Sequence, residues 1–142
     1  MKHYFVIIIL LLCTITCFGQ SSNIKVKGRV YLTSVSNQSK IVTNNYLTDF
    51  KVLLIKIYAT GTDMKFVEAN KQKFCSDNKQ ILERYPATAD YTNSEGFYEF
   101  TDLQPNSYYM LILCDRKIQV SLISTGAKRS ITYKVKDKQV AL

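Results

Sequence analysis

Residues 93–113 read Asn93-Ser94-Glu95-Gly96-Phe97-Tyr98-Glu99-Phe100-Thr101-Asp102-Leu103-Gln104-Pro105-Asn106-Ser107-Tyr108-Tyr109-Met110-Leu111-Ile112-Leu113. The stretch alternates turn, strand, turn, strand. Gly96 opens the first strand, where Tyr98 and Phe100 share a face. Asp102 to Asn106 makes the second turn, and Asn106 tolerates a left-handed backbone. In the next strand Tyr108, Met110, Ile112 and Cys114 form one face, and Tyr109, Leu111 and Leu113 the other. One of these faces must fill a core, and the second needs cover.

Working outward, Ile24 to Tyr31 alternates with period two: Ile24, Val26, Gly28 and Val30 against Lys25, Lys27 and Arg29. Residues 33–45 are polar and rich in Ser and Asn, a loop composition. Phe50 to Tyr58 is apolar on both faces, which predicts a central strand covered on both sides. Past Asp115-Arg116-Lys117, the segments Ile118–Leu122 and Ile131–Val135 alternate again. About seven short strands with turns between them predict an all-β, seven-stranded antiparallel Greek-key β-sandwich.

Residues 61–90 break the pattern and read as an insertion. Phe74, Cys75, Asn78, Ile81, Leu82 and Tyr85 follow helical spacing, Asp77 can cap with Gln80 three residues on, and Pro86 ends the run. This predicts one short helix over 77–85, placed to cover the face carrying Tyr109, Leu111 and Leu113. If it does not, those three residues are a candidate interaction surface.

The first twenty residues stand apart. Lys2 and His3 precede the apolar run Tyr4–Leu12, which continues weakly to Gly19-Gln20. A charge-free run this short predicts a signal peptide over 1–20, so the domain occupies 21–142 and is exported: periplasmic, cell-surface or secreted. A lipid anchor at Cys17 is the rival reading, but Thr14-Ile15-Thr16 lacks the small residue and the upstream Leu such a signal uses. No later run is long enough to span a bilayer, and export disfavours nucleic acid as a partner.

Cys75 and Cys114 remain in the exported part. They are a candidate disulfide, or else a free Cys75 and a buried strand Cys114. The chain carries a net charge of +8, with only Lys2 of its basic residues in the leader. Lys25, Lys27 and Arg29, together with Lys134, Lys136 and Lys138, form a candidate basic surface for a polyanion; lysines on outer strands also guard against edge-to-edge aggregation.

The spacing Leu103-x-Pro105-x-x-Tyr108 suggests a tyrosine corner, in which a hydroxyl returns to upstream backbone. With Val26-Lys27-Gly28-Arg29-Val30, the apolar strand near Phe50–Ile57 and Thr92-Asn93-Ser94-Glu95-Gly96-Phe97-Tyr98-Glu99-Phe100, the chain resembles a carboxypeptidase regulatory-like domain of the transthyretin-like (prealbumin-like) type. The resemblance implies a β-sandwich accessory module. It departs from the family in the long 61–90 insertion and in Asn106, where a glycine is usual.

Catalysis is disfavoured. His3 is the single histidine, which removes the commonest general base. The transthyretin-like ring hydrolases use histidines and a Tyr-Arg-Gly-Ser motif, absent from this sequence. Glu95 and Glu99 read as solvated surface rather than an acid–base pair. Asp90, Asn93, Glu95 and Asp102 supply oxygens near one turn but match no calcium-loop spacing, and the cysteines and histidine make no zinc shell. The expectation is a non-catalytic module without cofactor, with an unidentified protein or glycan partner in the envelope; a carbohydrate- or polyanion-binding module is the alternative.

Overall fold

The structure, a computed structural model, describes residues 23–35, 42–128 and 130–140. The expected signal peptide and Cys17 lie outside them. In chain order the elements are β1 (Ile24–Val35), β2 (Val42–Tyr46), β3 (Lys51–Ile57), α1 (Thr60–Cys75), α2 (Lys79–Arg84), β4 (Ala87–Tyr91), β5 (Phe97–Leu103), β6 (Tyr108–Leu113), β7 (Gln119–Ser124), β8 (Thr132–Lys134) and β9 (Lys138–Gln139). The fold is mostly β, but nine strands are present among the described residues where seven were expected.

One sheet is built around β1. Val30 N–H donates to the Gly96 carbonyl and Val30 C=O accepts from Leu47 N–H, so β5 and β2 follow one another along one edge. Lys25, Lys27 and Tyr31 point their backbone the other way, to the chain around β8 and β9. Both of those strands run parallel to β1, so the sheet is mixed rather than purely antiparallel. The second sheet has the order β4-β3-β6-β7 and is antiparallel throughout.

The alternation of β1 and the two apolar faces of β3 dictate the layers. Ile24, Val26 and Val30 of β1 meet Val52 and Leu54 of β3 and Leu111 of β6 in one core between the sheets. The opposite face of the second sheet, with Leu53, Ile55, Ile57, Met110 and Ile112, is sealed by Val67 and Phe74 of α1 and Ile81 of α2. Each such apolar side chain contributes about 1.5–3 kcal/mol on full burial.

Two expectations are corrected here. The covered face is the Met110/Ile112/Cys114 face, while Tyr109, Leu111 and Leu113, at 6, 1 and 3% exposure, lie in the inter-sheet core and offer no interaction surface. A period-two pattern separates two faces but does not say which faces the other sheet. The insertion also holds two helices and the first residues of β4, not one helix over 77–85. The long α1 buries only Asp63, Val67 and Phe74, too few apolar residues to declare its period.

Local geometry explains the helix boundaries. Asp63 Oδ2 accepts the N–H groups of Tyr58 and Ala59, 2.9 Å each, which precede α1, and Oδ1 accepts the Tyr85 hydroxyl at 2.7 Å. Asn78, not Asp77, caps α2 through Ile81 N–H. Asp77 takes the left-handed position between the helices (φ 56°) and pairs with Lys51 at 2.7 Å.

Cys75 at the end of α1 is disulfide-bonded to Cys114, with Cα atoms 5.5 Å apart. The bond staples the helical layer to the end of β6. Closing 39 residues stabilises by about 4 kcal/mol in the chain-entropy model.

Candidate functional site

The turn between β4 and β5 assembles the most distinctive surface. Asn93 Oδ1 accepts the N–H groups of Glu95 and Phe97 at 3.0 Å each, and Gly96 N–H donates to the Asn93 carbonyl. Gly96 sits at φ 78°, and a Cβ there would stand 2.5 Å from the Val30 carbonyl oxygen. No other residue type fits that close approach without strain. Buried Thr92 accepts Phe50 N–H and donates to the Leu47 carbonyl, tying the β2–β3 connection to the same turn.

This fixed turn leaves Tyr91 and Phe97 on the lining of one groove, at 54% and 40% exposure. Arg29, the register partner of Phe97, donates from Nε to the Glu95 carbonyl at 2.8 Å. Its guanidinium lies 3.4 Å from the Tyr46 ring centre and 4.4 Å from that of Phe97. At an exposed site each such contact is worth about 0.5–1 kcal/mol. Tyr46, 40% exposed, is braced edge-on by Tyr31.

Between the free edges of β4 and β5 lies a groove of about 480 Å³, lined by Lys27, Asp90, Tyr91, Asn93, Phe97 and Glu99. Asp90 bridges the two sheets there, its Oδ2 accepting Glu99 N–H at 2.8 Å. A smaller cavity of about 180 Å³ adjoins it, floored by Leu54, Phe100 and Leu103. Asn93 spends its carbonyl oxygen on the turn, but its amide nitrogen makes no hydrogen bond among the described residues.

Of the sequence-predicted basic residues, Lys27 lines this groove. Lys25 and Lys27 both pair with Glu99, at 3.3 and 2.9 Å. The bond from Lys27 is the main reason the Glu99 carboxyl sits below its ordinary range, with Lys25 adding to it. Lys134 stands beside Lys27 in register across β1 and β8. The lysine row therefore carries a carboxylate inside it and is only partly a cationic stripe.

The oxygen set considered for calcium is not assembled. Asp90 and Asn93 spend oxygens on backbone N–H groups, and Asp102 stands at the opposite end of β5 from the turn. No group of three or more His, Cys, Asp or Glu side chains suited to a metal ion occurs among the described residues. Glu99, the sequence's one partner for Glu95 in acid–base work, is engaged by two ammonium groups.

The tyrosine corner is present but belongs to the next residue. Tyr109 Oη accepts Gln104 N–H at 3.0 Å, whereas Tyr108 is 41% exposed. Buried Thr125 completes the corner: its hydroxyl accepts Ser107 N–H and donates to the Gln104 carbonyl. Sequence reasoning passed over Tyr46, Tyr91 and Phe97 as site residues; the one signal for them was the position of Tyr91 and Phe97 on either side of the Asn93–Gly96 turn.

No protein-family model matches the chain, and no curated protein matches it in sequence.

Proposed function

We propose that the protein is an exported, non-catalytic β-sandwich module that binds a glycan in the groove between β4 and β5. The observation that carries this reading is one groove lined by two exposed aromatic rings, Tyr91 and Phe97, the amide nitrogen of Asn93 and the carboxylates of Asp90 and Glu99. The apolar C–H face of a pyranose stacks on an aromatic ring, and its hydroxyls need a few fixed donors and acceptors. The apolar leader supports export, and the resemblance to carboxypeptidase regulatory-like domains supports an accessory role.

A polyanion reading has less behind it. Lys25 and Lys27 are shared by Glu99, and a polyanion would have to displace that carboxylate.

A glycan array followed by titration calorimetry tests the proposal. Neutral glycans should bind with little change between 50 and 500 mM salt, and Tyr91→Ala or Phe97→Ala should weaken binding by about tenfold or more, in line with an aromatic contact of about 1 kcal/mol plus lost burial. Retention of anionic glycans alone, abolished by salt, would replace this reading with the polyanion one. Binding unchanged in both variants would refute the site.

A further inference from the structure

The second sheet ends on β7, which pairs with β6 and with no other strand among the described residues; the Gln119 side chain also donates to the Gln139 carbonyl. Gln119 to Ser124 contains no charge, no proline and no bulge, so this edge lacks the usual guards against strand pairing. The helices cover β3 and β6 and partly bury Val120 of β7, leaving the strip along Leu122 open. Register places Val120 opposite Ile112 and Leu122 opposite Met110, so both point to the helical side, and Leu122 is 44% exposed.

Two cavities run along this uncovered strip and share Glu68 and Ala69 of α1. The first, about 480 Å³, is lined by the apolar side chains of Met64, Met110, Val120 and Leu122, with the exposed Lys65 and Glu68 beside them. The second, about 350 Å³, is lined by Lys71, Arg116 and Lys117. Lys71 pairs with Glu68 at 2.5 Å, while Arg116 and Lys117 form no ion pair among the described residues. From Met64 to Gln72 the helix rises about 12 Å, and the extended chain from Ile118 to Leu122 covers about 13 Å. The strip therefore gathers Met64, Met110, Val120 and Leu122 with one lysine, Lys65, at one end, and the basic group Lys71, Arg116 and Lys117 at the other, over a length of about four extended residues.

We propose that an extended peptide segment of a partner protein adds to the free edge of β7, with two apolar side chains, at i and i+2, on the Met64–Leu122 end and an acidic side chain at i+4 facing Arg116 and Lys117. Backbone pairing with β7 satisfies the peptide's own N–H and C=O groups, which a lipid chain in the same groove would not need. The uncompensated cations select the acidic end and set its direction. This site is on the opposite edge of the second sheet from the β4–β5 groove and does not depend on glycan binding.

The test uses fluorescein-labelled pentapeptides of the pattern apolar-Thr-apolar-Thr-Glu, with lysine-ended and scrambled controls, titrated by fluorescence polarisation against the full exported chain. Acid-ended peptides should bind saturably and the lysine-ended control at least tenfold more weakly. The double variant Arg116→Glu/Lys117→Glu should weaken binding tenfold or more, and so should Leu122→Lys, which changes an exposed side chain and leaves folding intact by circular dichroism. Tyr91→Ala should leave peptide binding unchanged, so failure here and failure of the glycan reading are told apart. No binding by acid-ended peptides, binding indifferent to the charge reversals, displacement by dodecanoate, or self-association through β7 in sedimentation would each overturn the proposal.

Discussion

Single residues hold the turns that shape both ends of this molecule. Tyr109 fixes the corner between β5 and β6 because its inward ring carries a hydroxyl to Gln104 N–H, while the neighbouring Tyr108 faces solvent. Tyr109→Phe should therefore cost about 1–2 kcal/mol in urea unfolding, and Tyr108→Phe should be neutral within about 0.5 kcal/mol. The reverse order would return the corner to Tyr108. Gly96→Ala should destabilise by about 2 kcal/mol or more, since the residue needs positive φ and its Cβ would press on the Val30 carbonyl. Gly28 serves differently: the Tyr98 ring lies directly over it, and an added Cβ would meet the Tyr98 hydroxyl at 2.0 Å. Tyr98 is buried, its hydroxyl has no hydrogen-bond partner among the described residues, and burial pushes its pKa far above the ordinary tyrosine range.

At the scale of elements, the helical layer is attached by three kinds of contact. Val67, Phe74 and Ile81 seal the outer face of β3 and β6, Lys51 reaches Asp77 and the Cys75 carbonyl, and the disulfide joins α1 to the end of β6. Native protein should show no free thiol at Cys75 or Cys114. Replacing both with serine should lower unfolding free energy by about 2–4 kcal/mol, read from the denaturant midpoint. Two reactive thiols in the native protein would rule the staple out. Val67→Ala should cost about 1–3 kcal/mol and expose apolar sheet, detectable as dye binding.

For the whole molecule, acid should be the destabilising direction. Asp63 is held below its ordinary value of 3.8 first by Ala59 N–H, then by the Tyr85 hydroxyl and Tyr58 N–H. Glu99 is held below 4.5 chiefly by Lys27. A carboxyl with a depressed folded pKa binds its proton in the unfolded chain first, so its stabilisation is complete above the ordinary value and is lost as pH falls through the folded one. Thermal midpoints should be flat from neutrality to about pH 5 and fall below about pH 4.5. Asp63→Asn should flatten that acid limb while lowering the plateau. An acid limb of unchanged slope in the variant would remove Asp63 from the account.

The β character, the two-faced central strand, the Asn93–Gly96 turn and the left-handed Asn106 were legible in the residues, because period-two alternation and turn chemistry are local. The pairing of Cys75 with Cys114 was among the open readings and needed the fold to choose it. Other decisions were not local at all. Whether Tyr109 or Met110 faces the opposite sheet depends on which side α1 docks, and α1 itself was obscured by a surface-rich sequence with three buried residues. The candidate site brings Arg29 of β1 and Tyr46 of β2 to Phe97 of β5 through the β1–β5 and β1–β2 registers, and Tyr91 of β4 joins Phe97 only because the two sheets pack together. Sequence alone determined the elements and their turns. Tertiary structure decided which faces are core and which rings meet at the surface, because those depend on strand registers and layer packing that no local pattern encodes.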